Sequence, residues 1–119
     1  MTMMGQDFQM LSGNYRLLRC TVVDDNQNPV DLSGFINFRW GAKSNYRLPH
    51  PSVEKELGDG IQLEQGEVNV ALVELLPADT INLKGTYHHE LKGTDLNGNP
   101  TTLLTGQMIV HPAILIPVV

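Results

Sequence analysis

The sequence predicts an all-β sandwich of about seven strands with one short helical turn, from three observations. Stretches that alternate apolar and polar residues recur along the chain, as half-buried strands require. An Asp-x-Asn-x-Asn-Pro turn is used twice, as Asp24-Asp25-Asn26-Gln27-Asn28-Pro29 and as Asp95-Leu96-Asn97-Gly98-Asn99-Pro100, each between two such stretches. The alternation breaks once for a helical turn, at Leu76-Pro77-Ala78-Asp79-Thr80-Ile81-Asn82-Leu83.

The elements follow in order. Residues 1–13 are Met-rich and polar without a clear period (Met1, Met3, Met4, Met10), and read as an N-terminal arm before a domain over 14–111. From Tyr15 the alternation begins, with Leu18, Cys20 and Val22 on one face and Leu17, Arg19 and Thr21 on the other. Asn, Asp and Gly accept positive φ and Pro donates to no ladder, so the first Asp-Asn-Pro segment turns the chain. Ile36, Phe38 and Trp40 then form a heavy inward face. Residues 42–51 hold Pro49 and Pro51, which exclude a central strand and predict an exposed excursion.

Val53, Lys55 and Leu57 suggest a short charged edge strand, and Gly58-Asp59-Gly60 turns it into Ile61-Gln62-Leu63. Val68, Val70 and Leu72 alternate with Glu67, Asn69 and Ala71 in the clearest period-2 signal of the chain. After the helical turn and Lys84-Gly85, the residues Tyr87, His89 and Leu91 point one way and Thr86, His88 and Glu90 the other. The second Asp-Asn-Pro turn leads into Leu104, Gly106, Met108 and Val110. Residues 112–119 form an almost wholly apolar C-terminal tail.

Two features direct the sandwich towards an immunoglobulin-like topology. Cys20, Trp40 and His89 fall on strands that suit the second, third and sixth places, although His89 supplies no disulfide partner. The helical turn before Gly85-Thr86-Tyr87 suits the crossing that precedes a tyrosine corner. A six-stranded barrel would give nearly the same string.

Bulk properties narrow the function classes. At 119 residues the chain is long enough for one domain with its own core. Apolar residues are 41% and charged residues 18% of the total, which excludes a disordered chain. The formal charge is −5 and the eight basic residues are scattered, which argues against nucleic-acid binding. A single cysteine excludes an intrachain disulfide and fits a reducing compartment. Neither a signal-peptide pattern nor a run of membrane-span length is present, so the chain reads as soluble, with no membrane partner, and cytoplasmic when made.

Sites of chemistry are not found. The Asp-x-Asn-x-Asn spacing copies the first ligands of a calcium loop, but its sixth place is Pro29 or Pro100 and its twelfth is Phe35 or Gly106, where Gly and Glu are needed. His88 and His89 leave opposite faces of one strand, and no His or Cys pair has zinc spacing. The serines stand in turn contexts outside any nucleophile elbow, Cys20 lies on an inward face, and Glu54 and Glu56 read as a solvated edge. The expectation is therefore no catalytic residue, no metal and no cofactor. Contact is expected instead at Tyr46, Arg47 and His50 in the 42–51 loop, and at Ile114, Leu115, Ile116, Val118 and Val119 in the tail.

The string Thr21-Val22-Val23-Asp24-Asp25-Asn26-Gln27-Asn28-Pro29-Val30-Asp31-Leu32-Ser33-Gly34 resembles a segment of small immunoglobulin-like domains in tailed-phage virion proteins. The similar set includes the N-terminal domain of phage baseplate upper proteins. Leu76-Pro77-Ala78-Asp79-Thr80 with Lys84-Gly85-Thr86-Tyr87 resembles that family's helical turn and strand. Asp95 to Gly106 is similar to its final hairpin. The resemblance implies a non-enzymatic virion structural protein, a multi-copy tail, baseplate or neck accessory whose partners are other virion proteins. A capsid decoration protein of the same fold is the alternative. A cellular sugar- or peptide-binding immunoglobulin-like module is a further one, with Tyr46 as its aromatic contact.

Overall fold

The computed structural model describes residues 4–114. Among the described residues nine strands carry the fold: β1 (Met4–Gly5), β2 (Phe8–Leu11), β3 (Arg16–Thr21), β4 (Phe35–Lys43), β5 (Val53–Leu57), β6 (Gly60–Leu63), β7 (Val70–Leu75), β8 (Gly85–Asp95) and β9 (Pro100–His111). A 3-10 turn, Leu32–Gly34, precedes β4, and α1 (Pro77–Thr80) follows β7.

The strands form two layers. One carries β1 and β2 on β9, then β8, β4 and β5; the other is β3, β7 and β6. At the corner Gly58-Asp59-Gly60 the chain passes between layers, with Gly58 at φ 83° and Gly60 at φ 100°, and a short parallel register joins β5 to β6. This is the immunoglobulin-like arrangement. Cys20, Trp40 and His89 lie on its second, third and sixth principal strands. Tyr87 makes the tyrosine corner, its hydroxyl 3.4 Å from the Lys84 N–H.

A closed barrel is set aside by the seam between β2 and β3. No ladder joins them among the described residues. Two side-chain bonds bridge the seam instead, from Gln6 Nε2 to the Arg19 carbonyl (2.8 Å) and from Arg16 Nη1 to the Gln9 carbonyl (3.2 Å).

The core confirms most of the alternation. Leu18, Cys20, Val22, Phe38, Trp40, Tyr87, His89, Leu91, Leu104, Met108 and Val110 are all buried. Three expectations are corrected. Ile36 is exposed, because the ladder slips between Phe35 and Asn37 and Phe35 packs on the core in its place. In β7 the core-facing residues are Ala71, Val73 and Leu75, because Ala71 pairs with Cys20 and Val73 with Leu18, while Val70 is buried as the alternation expects. Leu72 consequently faces outward and Val68 lies exposed before the strand. From Met4 to Leu11 the segment read as an arm is an edge strand of the sandwich, in parallel register with β9 and with Phe8 and Met10 buried. Met1 and Met3 lie outside the described residues.

The two Asp-Asn-Pro turns have the same geometry. Asp24 Oδ1 accepts from the N–H groups of Asn26 (2.9 Å) and Asn28 (3.0 Å), and Asp95 Oδ1 from those of Asn97 and Asn99 (both 2.9 Å). Gln27 occupies φ 65° where the second copy has Gly98 at φ 83°. The second copy closes the β8–β9 hairpin, whereas the first returns only through the Val23–Pro29 bridge before the chain changes layer. Asp24→Ala and Asp95→Ala are each expected to lower stability by about 1 kcal/mol, since water replaces the exposed carboxylate in part. Urea titration of both variants checks this, and equality of the two losses checks the equivalence of the turns.

Candidate interaction surfaces

Side chains that alternate with the core residues of β4 and β8 build the outer face of the larger layer. Arg39, Gly41 and Lys43 stand beside Lys92, Glu90 and His88 in direct register. Gly41 has no side chain, so Pro51 of the following loop approaches its Cα, within 3.3 Å of where a Cβ would stand. The loop thus overhangs the sheet and leaves a groove of about 380 Å³ between them. Tyr46 forms one wall, 77% exposed and stacked on His88 with ring centroids 4.5 Å apart.

Two of the charged groups lining this groove pair with each other and a third is hydrogen-bonded. Arg39 is bonded to Glu54, and Thr102 Oγ1 donates to Glu90 Oε2 at 2.9 Å. Glu56 accepts from Asn37 Nδ2 at 3.1 Å, so Glu54 and Glu56 are a solvated, partnered edge. Of the loop residues expected to make contact, Tyr46 lines the groove, while Arg47 and His50 are exposed but do not. Arg39, Glu54, His88, Glu90 and Lys92 were not singled out as contacts. Their signal lies in the polar phase of the strands whose apolar phase marked the core.

The outer face of the smaller layer is more apolar. Leu17 stands opposite Glu74 and Arg19 opposite Leu72, which puts Leu17 and Leu72 on the same outward side. Tyr15 and Leu76 flank them, and the Tyr15 hydroxyl donates to Glu74 at 2.9 Å. Leu17 is 46% exposed, and a hollow of about 190 Å³ opens between it, Leu72 and Gly60. At the end of β9 the Ala113 N–H donates to Ser12 Oγ (3.2 Å), prolonging the strand direction, and Ile114 is 99% exposed. Leu115, Ile116, Val118 and Val119 lie outside the described residues.

His89 is the one buried imidazole, at the position where an antibody domain has its second core cysteine. Trp40 Nε1–H donates to its Nδ1 at 3.1 Å, so Nδ1 is the bare nitrogen and Nε2 carries the proton. That Nε2–H is donated to the Gln6 carbonyl at 2.6 Å. Gly106 faces His89 across the β8–β9 ladder, and a Cβ there would collide with the same carbonyl. Burial pushes the His89 pKa below its ordinary value, outweighing the opposing effects of the Gln6 carbonyl and of Asp7. On β3, burial alone pushes the Cys20 thiol up to about 12, which leaves it protonated and unreactive.

Among the described residues no group of three or more His, Cys, Asp or Glu side chains could hold a metal ion, and no helix is long and apolar enough to cross a membrane. The Asp24 and Asp95 carboxylates, the candidate calcium ligands, each accept backbone N–H bonds inside their own turns. The site geometry is thus one of surfaces and a closed core network.

No family model matches the chain, and no curated protein matches it. Among solved structures it is similar to AggA, the major subunit of aggregative adherence fimbriae type I from Escherichia coli. The identity is 12%, the match covers 87% of this chain and 89% of that one, and the TM-score is 0.34. A likeness of that size carries no argument about function.

Proposed function

We propose that this chain is a non-enzymatic structural module of a bacteriophage virion, made in the host cytoplasm and present in several copies on the tail, baseplate or neck. It works through protein–protein contacts, with other virion proteins and with copies of itself. The reading rests first on the apolar strip formed by the exposed Tyr15, Leu17 and Leu76 and the half-buried Leu72 on the outer face of the smaller layer. A second support is the uncharged run Ile114-Leu115-Ile116-Pro117-Val118-Val119, which must be covered in an aqueous assembly. The resemblance of the turn and strand motifs to those of phage immunoglobulin-like domains supports the virion context. The groove under Tyr46 supplies a further, polar contact surface.

In this reading the tail of one copy seats on the strip of the next. The chain still follows the β9 direction at Ala113, and the neighbouring Ser12–Tyr15 connection uses four residues to reverse from β2 into β3.

Sedimentation of the full chain, of a chain ending at Ile114, and of Leu17→Lys tests this contact. The full chain is expected to self-associate and both variants to sediment as monomers. Leu17→Lys is expected to change stability by no more than about 0.5 kcal/mol, because its side chain is on the surface. A full chain that stays monomeric at high concentration would remove the basis of the tail contact.

A further inference from the structure

The two Asp-Asn-Pro turns share a geometry but differ at the residue that follows the central asparagine. In the second turn Asp95 holds three consecutive N–H groups of the β8–β9 tip. Its Oδ1 accepts from Asn97 and Asn99, and its carbonyl accepts from Gly98 at 3.0 Å. In the first turn Asp24 does the same for Asn26, Gln27 and Asn28, with Gln27 N also 3.0 Å from the carbonyl. Residues 25–29 and 96–100 are all exposed. Among the asparagines of the chain, only Asn97 is followed by glycine.

That succession carries chemistry. The side-chain carbonyl carbon of an asparagine can close a five-membered ring with the backbone nitrogen of the next residue. Glycine, having no Cβ, leaves that nitrogen open to approach. At Asn26 the neighbouring nitrogen belongs to Gln27, whose side chain crowds it. At Asn28 and Asn99 it belongs to proline and has no proton to lose.

We propose that Asn97 is a self-modification site, which turns into aspartate and isoaspartate at a rate governed by the Asp95 turn. Gly98 N gives its proton to water or hydroxide and bonds to Asn97 Cγ. The bond from Cγ to the side-chain nitrogen breaks, and that nitrogen leaves as ammonia. Water then opens the cyclic imide at one of its two carbonyls. Opening at Cγ gives aspartate, and opening at the main-chain carbonyl gives isoaspartate. One water is consumed and one ammonia released, with no oxidant or reductant.

The closed turn restrains the first step. The Gly98 N–H is donated to the Asp95 carbonyl, and the Asp95 carboxylate beside it disfavours the anion that its loss creates. Reaction therefore proceeds from the opened tip, whose population the turn sets. Both products place a second carboxylate beside Asp95 in a chain already at −5. Isoaspartate also lengthens the backbone of the turn by one atom, so the three bonds to Asp95 cannot all re-form. The site is independent of the partners proposed above.

Peptide mass mapping of chains incubated at neutral pH over weeks tests the site. Asn97 of the natural chain is expected to exchange its amide for a carboxylate while Asn26 does not. In Gln27→Gly, Asn26 is expected to convert at a rate comparable with that of Asn97. Asp95→Ala is expected to speed conversion at Asn97 about fivefold, as the loss of its turn bonds opens the tip. Gly98→Gln reproduces the first turn, where Gln27 is accommodated at φ 65°, and is expected to stop conversion. An intact Asn97 in the natural chain, after the urea-unfolded chain has converted, overturns the proposal. So does equal conversion of Asn26 and Asn97 in the natural chain, or continued conversion in Gly98→Gln. An unchanged rate in Asp95→Ala refutes control by the turn.

Discussion

Gly106→Ala is expected to lower folding stability by about 3 kcal/mol and the Tm by about 10–15 °C, a large effect for one methyl group. The added Cβ would overlap the Gln6 carbonyl, which is backbone and cannot rotate away, and would crowd His89 Nε2 at 2.8 Å. Either the N-terminal strand lifts from β9, or the β8–β9 ladder opens. Both routes leave the buried Nε2–H without its acceptor, adding a desolvation cost to the steric one. Gly93 offers an internal comparison. A Cβ there would meet the Phe35 ring at 2.7 Å and Leu103 Cδ1 at 2.9 Å, both of them side-chain atoms able to shift. Thermal unfolding of the two alanine variants separates the cases, with Gly93→Ala the milder. A Tm for Gly106→Ala within a few degrees of the natural chain would contradict the docked position of Gln6.

The second large effect is at His89. His89→Leu fills similar volume but leaves both the Trp40 Nε1–H and the Gln6 carbonyl without partners, and is expected to cost about 3 kcal/mol. His89→Gln keeps a donor and an acceptor and is expected to cost about 1 kcal/mol. The difference separates hydrogen bonding from packing, because leucine is the more apolar replacement. Urea unfolding at neutral pH provides the measurement. Equal losses would mean that the imidazole serves as filler and that its two bonds contribute little.

Much of the fold is legible in particular residues. Leu18-x-Cys20-x-Val22, Phe38-x-Trp40 and Tyr87-x-His89-x-Leu91 are pure period-2 signals on strands covered on one face, and all are buried. The Asp-Asn-Pro turns are legible because their chemistry is local: one carboxylate accepts two nearby N–H groups in each copy. The β7 face was misread because the alternation was followed from Glu67, whereas the strand begins at Val70 and its inward phase is set by Cys20 and Leu18 across the ladder. Nothing local distinguishes Val68, exposed, from Val73, buried.

The N-terminal strand is invisible for a related reason. Phe8 and Met10 are its buried anchors among the described side chains, and its partner β9 lies about a hundred residues away, beyond the reach of any local pattern. Of the residues expected to make contact, Tyr46 drew that expectation from its type and its proline-rich loop, and it lines the groove. The groove around it was not, because it forms only when Pro51 packs over Gly41 and strands distant in sequence bring Glu54, His88 and Lys92 together. His89 was legible as an inward residue, while its role depends on Gln6 and Trp40, separated from it by 83 and 49 positions.

Cryo-electron microscopy of particles purified from cells that express this gene tests the proposed virion role most directly. The expected result is density that the sandwich fits at several symmetry-related positions on the tail, baseplate or neck, with the strip of Leu17 and Leu72 covered by a neighbouring subunit. The same density on the head would replace the tail assignment with capsid decoration. Particles that lack the protein, although infected cells contain it, would contradict the virion role itself.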